Sequence, residues 1–489
     1  MSWGVATQNG VSVSLASIVS LSCGAAEEFN PASLFSGGAK GAWYDPSDFS
    51  TLFQDSANAT PVTAVEQSVG LMLDKSQGLV LGSNVVTNGT FNSDTSWTKG
   101  TSWTISGGTA NAGGTGSSLT QAVTFVANTL YKVTYTVTSI ASGNIKAQFQ
   151  GGTAVVGTVR STVGTFTEYL SSGNNTTLAM VSGGTSPDAK IDNITVEALP
   201  GNHASQTTAA SRPVLRARYN NFVGTATLAT QNVTTLATTY NLSFSGAGTI
   251  TLTGTNIGVY SAGTNTITCT AGTLTATVIG TVTNADLRFS STATSMPAYQ
   301  LVTTSTNYDT VGFLPYLVLD GSNDSFATVS IDFSATDKMA VIAGVTKLSD
   351  AAQSVVAELS ATIASNNGSF LLTAPNSAAA NFNFSSKGTT QVDNTVVTYA
   401  SPYTAVLAAS GDISAGTNSV KVNGGTATTA SSSQGTGNYG NYPLYIGRRN
   451  NTSLPFNGRF YQMIVCGKAL SAAELSSTEV YVNTKTGAY

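Results

Sequence analysis

Charge is scarce in this sequence. Lys, Arg, Asp and Glu make up 9% of its 489 residues, where soluble domains carry about 25%. The 20 basic and 24 acidic side chains form no basic run, so a nucleic-acid footprint is not expected. No stretch of about 18 apolar residues occurs, so no membrane-spanning helix is predicted. There is one histidine, His203, and there are three cysteines, Cys23, Cys269 and Cys466. Zinc sites need several His or Cys, and no C-x-x-C spacing is present. The odd count leaves one thiol without a partner in the chain. Three buried or free thiols is the favoured reading, and an intermolecular disulfide is the alternative. A P-loop and a G-x-S-x-G elbow are both missing. His203 sits in Gly201-Asn202-His203-Ala204 and reads as a packing or turn residue.

Apolar residues make up 41% of the chain, which supports cores and argues against global disorder. The length exceeds one ordinary core and suggests about three domains. Thr, Val, Gly, Ser and Tyr dominate, which favours strands and turns. Tyr131, Val133, Tyr135 and Val137 alternate with Lys132, Thr134 and Thr136, the pattern of a half-buried antiparallel strand. Ile145, Ala147 and Phe149 repeat it. So do Tyr240, Leu242 and Phe244, then Ile250 with Leu252, then Leu274, Ala276 and Val278. The fold class expected is all-β, built from sandwiches or jelly rolls. One helix is predicted from Ser471 to Val482, with Ser471 and Glu474 as a capping box. A short turn is predicted over 46–53. Residues Val11 to Cys23 are moderately apolar, but no Lys or Arg precedes them. The stretch Val11 to Leu15 alternates and reads as a strand, and no secretion signal is expected.

Three separated segments look like pieces of one fold. The first is Gly41-Ala42-Trp43-Tyr44-Asp45-Pro46-Ser47-Asp48, running on to Leu71-Met72-Leu73-Asp74-Lys75-Ser76. The second runs from Gly201-Asn202-His203-Ala204 to Arg212-Pro213-Val214-Leu215. The third is Tyr316-Leu317-Val318-Leu319-Asp320-Gly321-Ser322-Asn323-Asp324, continuing through Leu444-Tyr445-Ile446-Gly447 and a closing strand from Phe456 to Val465. In this order they resemble the concanavalin A-like (laminin G-like) domains of bacteriophage tail and fibre proteins. The resemblance implies one discontinuous sandwich, 41–79, 200–221 and 301–489, with domains inserted at 80–199 and 222–300. Residues 1–40 would be an N-terminal docking segment. Surface loops accept such insertions when their ends lie close together.

The first insertion opens Val85-Val86-Thr87-Asn88-Gly89-Thr90-Phe91, then Trp97, and closes Ala189-Lys190-Ile191-Asp192-Asn193-Ile194-Thr195-Val196. It resembles carbohydrate-binding-module jelly rolls. In that family the final Asp and an acidic residue after the Phe help hold a structural calcium. Asp192 matches the first of these, and Asn92 stands at the second. Calcium prefers charged oxygen ligands, so a turn before the strand is the other reading of Asp192. Trp97 and Trp103 are the candidates for stacking a sugar ring, and burial in the jelly-roll core is the competing reading. The second insertion is nearly all Thr, Ala, Gly, Leu and Val and reads as a spacer or packing module.

These resemblances imply a virion protein, a fibre, tip or decoration on tail or head, that displays lectin-like domains to a host-surface glycan. Residues 1–40 would bind other virion proteins. A trimer follows by analogy, although no heptad stretch supplies a coiled-coil stalk. No enzyme activity is expected. Glycoside hydrolysis needs two carboxylates about 5–9 Å apart, and the E-x-D-x-E strand of the related glucanases is missing. A passive decoration protein and a polysaccharide depolymerase are the rival readings. No cofactor is implied beyond the calcium.

Overall fold

In the computed structural model, which describes residues 29–292 and 295–489, the three segments interleave in two sheets. The eight-stranded sheet runs Val214–Arg216, Tyr316–Asp320, Asn457–Cys466, Lys338–Lys347, Tyr403–Asp412, Thr417–Val422, Thr428–Ser431. Gly41–Tyr44 joins it by pairing with Asn457–Cys466. The nine-stranded sheet runs Leu52–Phe53, Leu71–Met72, Ala204–Ser205, Phe326–Asp332, Asn441–Ile446, Val355–Leu359, Ser369–Thr373, Asn381–Lys387, Gln391–Val397. Residues from all three segments, among them Tyr44, Met72, Leu215, Leu317, Phe384 and Val465, share one core between the sheets. The result is an all-β fold with a discontinuous sandwich and two inserted β-domains.

The first insertion hangs on two long strands, Leu130–Gln150 and Thr177–Leu199, which pair antiparallel with register shifts. Alternation places Tyr131, Val133, Tyr135 and Val137 inside, at 0–1% exposure. This domain has its own core. The second insertion is a five-stranded sheet whose core includes Tyr240, Leu242, Ile250, Leu252, Leu274 and Ala276. Val278 only partly reaches that core.

The helix begins where the capping box predicts, with Ser471 as N-cap and both of its bonds to Glu474 present. It extends to Thr486, beyond the predicted end at Val482. The last turn is held by packing and by a glycine cap. Thr486 is buried, and a Cβ on Gly344 would lie 1.9 Å from its Oγ1. Gly487, in the left-handed region at φ 62°, then closes the helix. The expected turn near residue 46 is a 3-10 helix, Phe49–Thr51.

The docking segment requires a correction at its C-terminal boundary. Residues 31–40 belong to the sandwich: Leu34 is fully buried, its carbonyl faces the Cys466 thiol, and the Lys40 carbonyl accepts from Gly467 N–H at 2.8 Å. The rest of the predicted segment, through residue 28, lies outside the described residues, as does Cys23. Cys269 and Cys466 are buried free thiols, and burial pushes the Cys466 thiol up to about 11.

Candidate functional site

The two tryptophans proposed as sugar platforms are core residues. Trp97 is 8% exposed and Trp103 is 4% exposed. Trp97 packs on Phe91 with ring centroids 5.4 Å apart and donates from Nε1 to the Asn88 carbonyl at 3.0 Å. A ring enclosed in this way has no free face for a saccharide, so the assignment of Trp97 and Trp103 to sugar binding is corrected.

Asp192 and Asn92 are engaged locally. Asp192 Oδ1 accepts from the Asn193 N–H at 2.7 Å, where Asn193 takes a left-handed turn at φ 53°. The Asn92 side-chain amide donates to Thr90 Oγ1 at 2.9 Å. This pair offers one carboxylate, where calcium takes about 6–8 oxygens, preferably with several charges. Among the described residues no group of three or more His, Cys, Asp or Glu could hold a metal ion. The side chains as placed do not fit a calcium site.

His203 is a bracket at the base of the first insertion. Its Nδ1 accepts from the Asp74 N–H at 3.0 Å, and its Nε2 faces the Leu199 carbonyl at 3.3 Å. Burial lowers its pKa, against the pull of Asp74. The neutral ring with its proton on Nε2 satisfies both contacts.

A more exposed arrangement lies on the outer face of the nine-stranded sheet. Ser205, Ala327, Tyr445, Glu358, Leu371, Ser385 and Asp393 are successive cross-strand partners. Directly paired residues share a face. The neighbouring row, Phe326, Ile446, Ala357, Leu372 and Phe384, lies in the sandwich core, so the first row points outward. Its ends are covered. On one side Leu71 pairs with Ser205 and packs beneath Leu199, Leu130 and Tyr169 of the first insertion. On the other, Ile363 and Leu454 close over Leu371, and Lys387 Nζ holds that loop by the Ile363 and Ala364 carbonyls, both at 2.8 Å.

Between these covered stretches Ser205, Ala327 and Tyr445 remain half-buried and face outward. Burial pushes the Tyr445 phenol up, which keeps it a neutral donor and acceptor. Glu358, beside it, is fully buried. Its oxygens take the Arg449 Nε and the Ile363 N–H, each at 2.7 Å. Burial raises its pKa, and Arg449 and the Ile363 amide oppose that shift. The pair braces the loop that covers Leu371. In the sequence, Leu444 and Ile446 alternate as core positions of one strand. The same alternation puts Tyr445 on the opposite face, so the signal was present.

Asp320 and Asp324 shape a turn at the far end of the Tyr316–Asp320 strand. Asp320 Oδ1 accepts from Ser322 N–H at 2.8 Å and from Asn323 N–H at 3.2 Å. Asp324 Oδ2 accepts from Asp320 N–H at 3.1 Å.

Residues 320–476 match a family model described as the concanavalin A-like lectin/glucanases superfamily. No curated protein matches the chain. Among solved structures, the CBM40 of Ruminococcus gnavus IT-sialidase, bound to α2,3-sialyllactose, is 18% identical. That match covers 29% of this chain and 83% of that one, with a TM-score of 0.25. The SAP-like pentraxin of Limulus polyphemus is 10% identical over 33% of this chain and 79% of its own, at a TM-score of 0.27. The binding domain of botulinum neurotoxin DC, in complex with rat synaptotagmin II, is 10% identical over 34% and 43%, at 0.28. The match over 320–476, with the two-sheet core described above, identifies a concanavalin A-like, laminin G-like sandwich domain in this chain.

Proposed function

We propose that this chain is a non-enzymatic glycan-binding protein, displayed on the surface of a bacteriophage particle, that holds a host-surface saccharide on the outward sheet face at Tyr445. The observation that carries the binding reading is the outward row with Tyr445 half-exposed at its centre. A sugar ring presents C–H groups on one face and hydroxyls at its edge. An aromatic ring accepts the first, and neighbouring polar groups accept the second. The charge-poor composition suits neutral hydrogen bonding over long-range steering. The virion setting rests on the ordered resemblance of the three segments to phage tail and fibre domains. In this reading the chain assembles with other virion proteins, as a trimer by analogy.

The test is to present immobilised lipopolysaccharide and capsular polysaccharide to the full chain. Saturable binding to at least one, with no reducing sugar released, is the expected result. Release of reducing sugar would make the chain a depolymerase. Failure to bind any host polysaccharide would leave a passive decoration protein. Labelling intact particles with an antibody to the chain tests the virion setting, and unlabelled particles would contradict it.

A further inference from the structure

We propose that the cleft between the sandwich and the second insertion is a separate binding site for the carboxylate of an acidic saccharide. Only the choice of a sugar as ligand rests on the glycan-binding reading above. The anion preference rests on the cleft itself.

The cleft has a volume of about 480 Å³, within the range of ligand pockets, about 300–1,000 Å³. Strand Val214–Arg216 of the sandwich forms one wall, strand Gln231–Thr235 of the second insertion another, and the turn at Ser305 and Thr306 the third. Two guanidinium groups line it, Arg216 and Arg218.

Among the described residues Arg218 donates only to carbonyls, and its Nη1 reaches Ser305 O at 3.5 Å on the third wall. Its Nε donates to Asn220 O at 2.9 Å, and its Nη2 to Asn221 O at 2.9 Å and Phe222 O at 3.3 Å. These bonds orient the charge without neutralising it. Arg216 shares one carboxylate: its Nε meets Glu66 Oε2 at 3.1 Å, while the other Glu66 oxygen accepts from Tyr308 OH at 2.7 Å. The Arg216 side chain is 42% exposed, and among the described residues only its Nε has a hydrogen-bond partner, so its terminal nitrogens are available to a ligand.

Among the described residues, two cations against one anion leave one positive charge in a partly desolvated cleft. Such a charge favours an anionic partner, and a guanidinium edge matches a carboxylate in particular. The remaining wall supplies amides and hydroxyls at Asn221, Asn232 and Thr306, groups suited to sugar hydroxyls rather than to a bare anion.

Glucuronate, glucose and acetate, titrated separately into the full chain by calorimetry, test the proposal. Glucuronate is expected to bind at least about tenfold more tightly than either of the others and to weaken as salt is added. Arg216→Gln should abolish most of this binding. Because Arg216 also partners Glu66, Asn232→Asp gives a second arm: Asn232 is exposed, and the new carboxylate should cost about tenfold through like-charge repulsion alone. Glucose or acetate binding as well as glucuronate would overturn the proposal, as would unchanged glucuronate affinity in both variants. Tyr445→Ala should leave glucuronate binding intact. Loss of polysaccharide binding in that variant with glucuronate retained separates the two sites, and either can fail without the other.

Discussion

The Asn202 N–H donates to Asp74 Oδ2 at 2.7 Å across 128 positions of sequence. The other oxygen, Oδ1, accepts from Trp43 N–H at 2.7 Å and from Ser76 N–H at 2.8 Å. One fully buried carboxylate therefore ties the first sandwich strand to both ends of the loop from which the jelly roll emerges. With those ends clamped together, the inserted length adds little closure cost to the sandwich. The latch also explains why the residues around Asp74 and Gly201-Asn202 read as one interrupted motif.

Asp74→Asn should destabilise the sandwich by about 2–4 kcal/mol, because the amide turns one acceptor into a donor facing an N–H. A urea titration followed by tryptophan fluorescence checks this, since Trp43 lies at the latch. A midpoint equal to that of the parent chain would contradict it.

The second insertion is anchored by Gln300. This fully buried side chain accepts from Tyr219 N–H at 2.8 Å and Asn220 N–H at 3.0 Å. It donates to the Ala217 carbonyl at 2.8 Å and the Asp309 carbonyl at 2.7 Å. Gln300→Ala leaves four backbone groups without this partner, a loss on the order of 3 kcal/mol or more. Faster amide exchange at Tyr219 and Asn220 is the expected signature, and unaltered protection there would refute the anchor.

Asp324 predicts a pH effect. Burial and then the Asp320 charge push its carboxyl up to about 6 from 3.8. The folded state thus binds this proton more readily than the unfolded state does. Its contribution is complete below the unfolded value and is lost as pH rises through about 6. The melting temperature of the parent chain minus that of Asp324→Asn should fall from pH 4 to 7, a difference in which the opposite contribution of His203, whose pKa burial lowers, cancels. A difference that stays constant across the window would exclude Asp324 as a source of pH dependence.

Trp97→Ala should act on folding rather than on recognition. Removing a packed tryptophan costs about 3–5 kcal/mol, so denaturation of the first insertion should shift. Binding measured on the folded variant should remain. Selective loss of saccharide binding with stability unchanged would restore the tryptophan reading.

What the sequence made legible was backbone-shaping chemistry. Period-two alternation marked Tyr131 to Val137 and Tyr240 to Phe244, and local hydrogen-bonding rules placed Ser471 and Glu474. The split sandwich could be read because Asp74, Asn202 and Asp320 serve turns and latches whose spacing within each segment survives insertion. The outward face at Tyr445 was less visible. Tyr445 becomes distinctive only once the first insertion is known to cover Leu71 and the Ile363 loop to cover Leu371, and both are long-range packing events. Trp97 misled for a related reason. It lies among turns rather than in a long alternating strand, with Ser96 at φ 70°, so no periodicity revealed its burial. The Arg216 and Arg218 cleft exists only through docking of the second insertion, which no local pattern encodes.

In the proposed function the outer face of the nine-stranded sheet binds saccharide through Tyr445. A binding isotherm of the full chain on a polysaccharide it recognises, beside that of Tyr445→Ala, tests it most directly. The ring is half-exposed and lies outside the sandwich core, so the variant should retain its melting temperature within about 2 °C. It should bind at least about tenfold more weakly, the loss of one stacked ring and its hydroxyl. Equal affinity of the two proteins would contradict the claim.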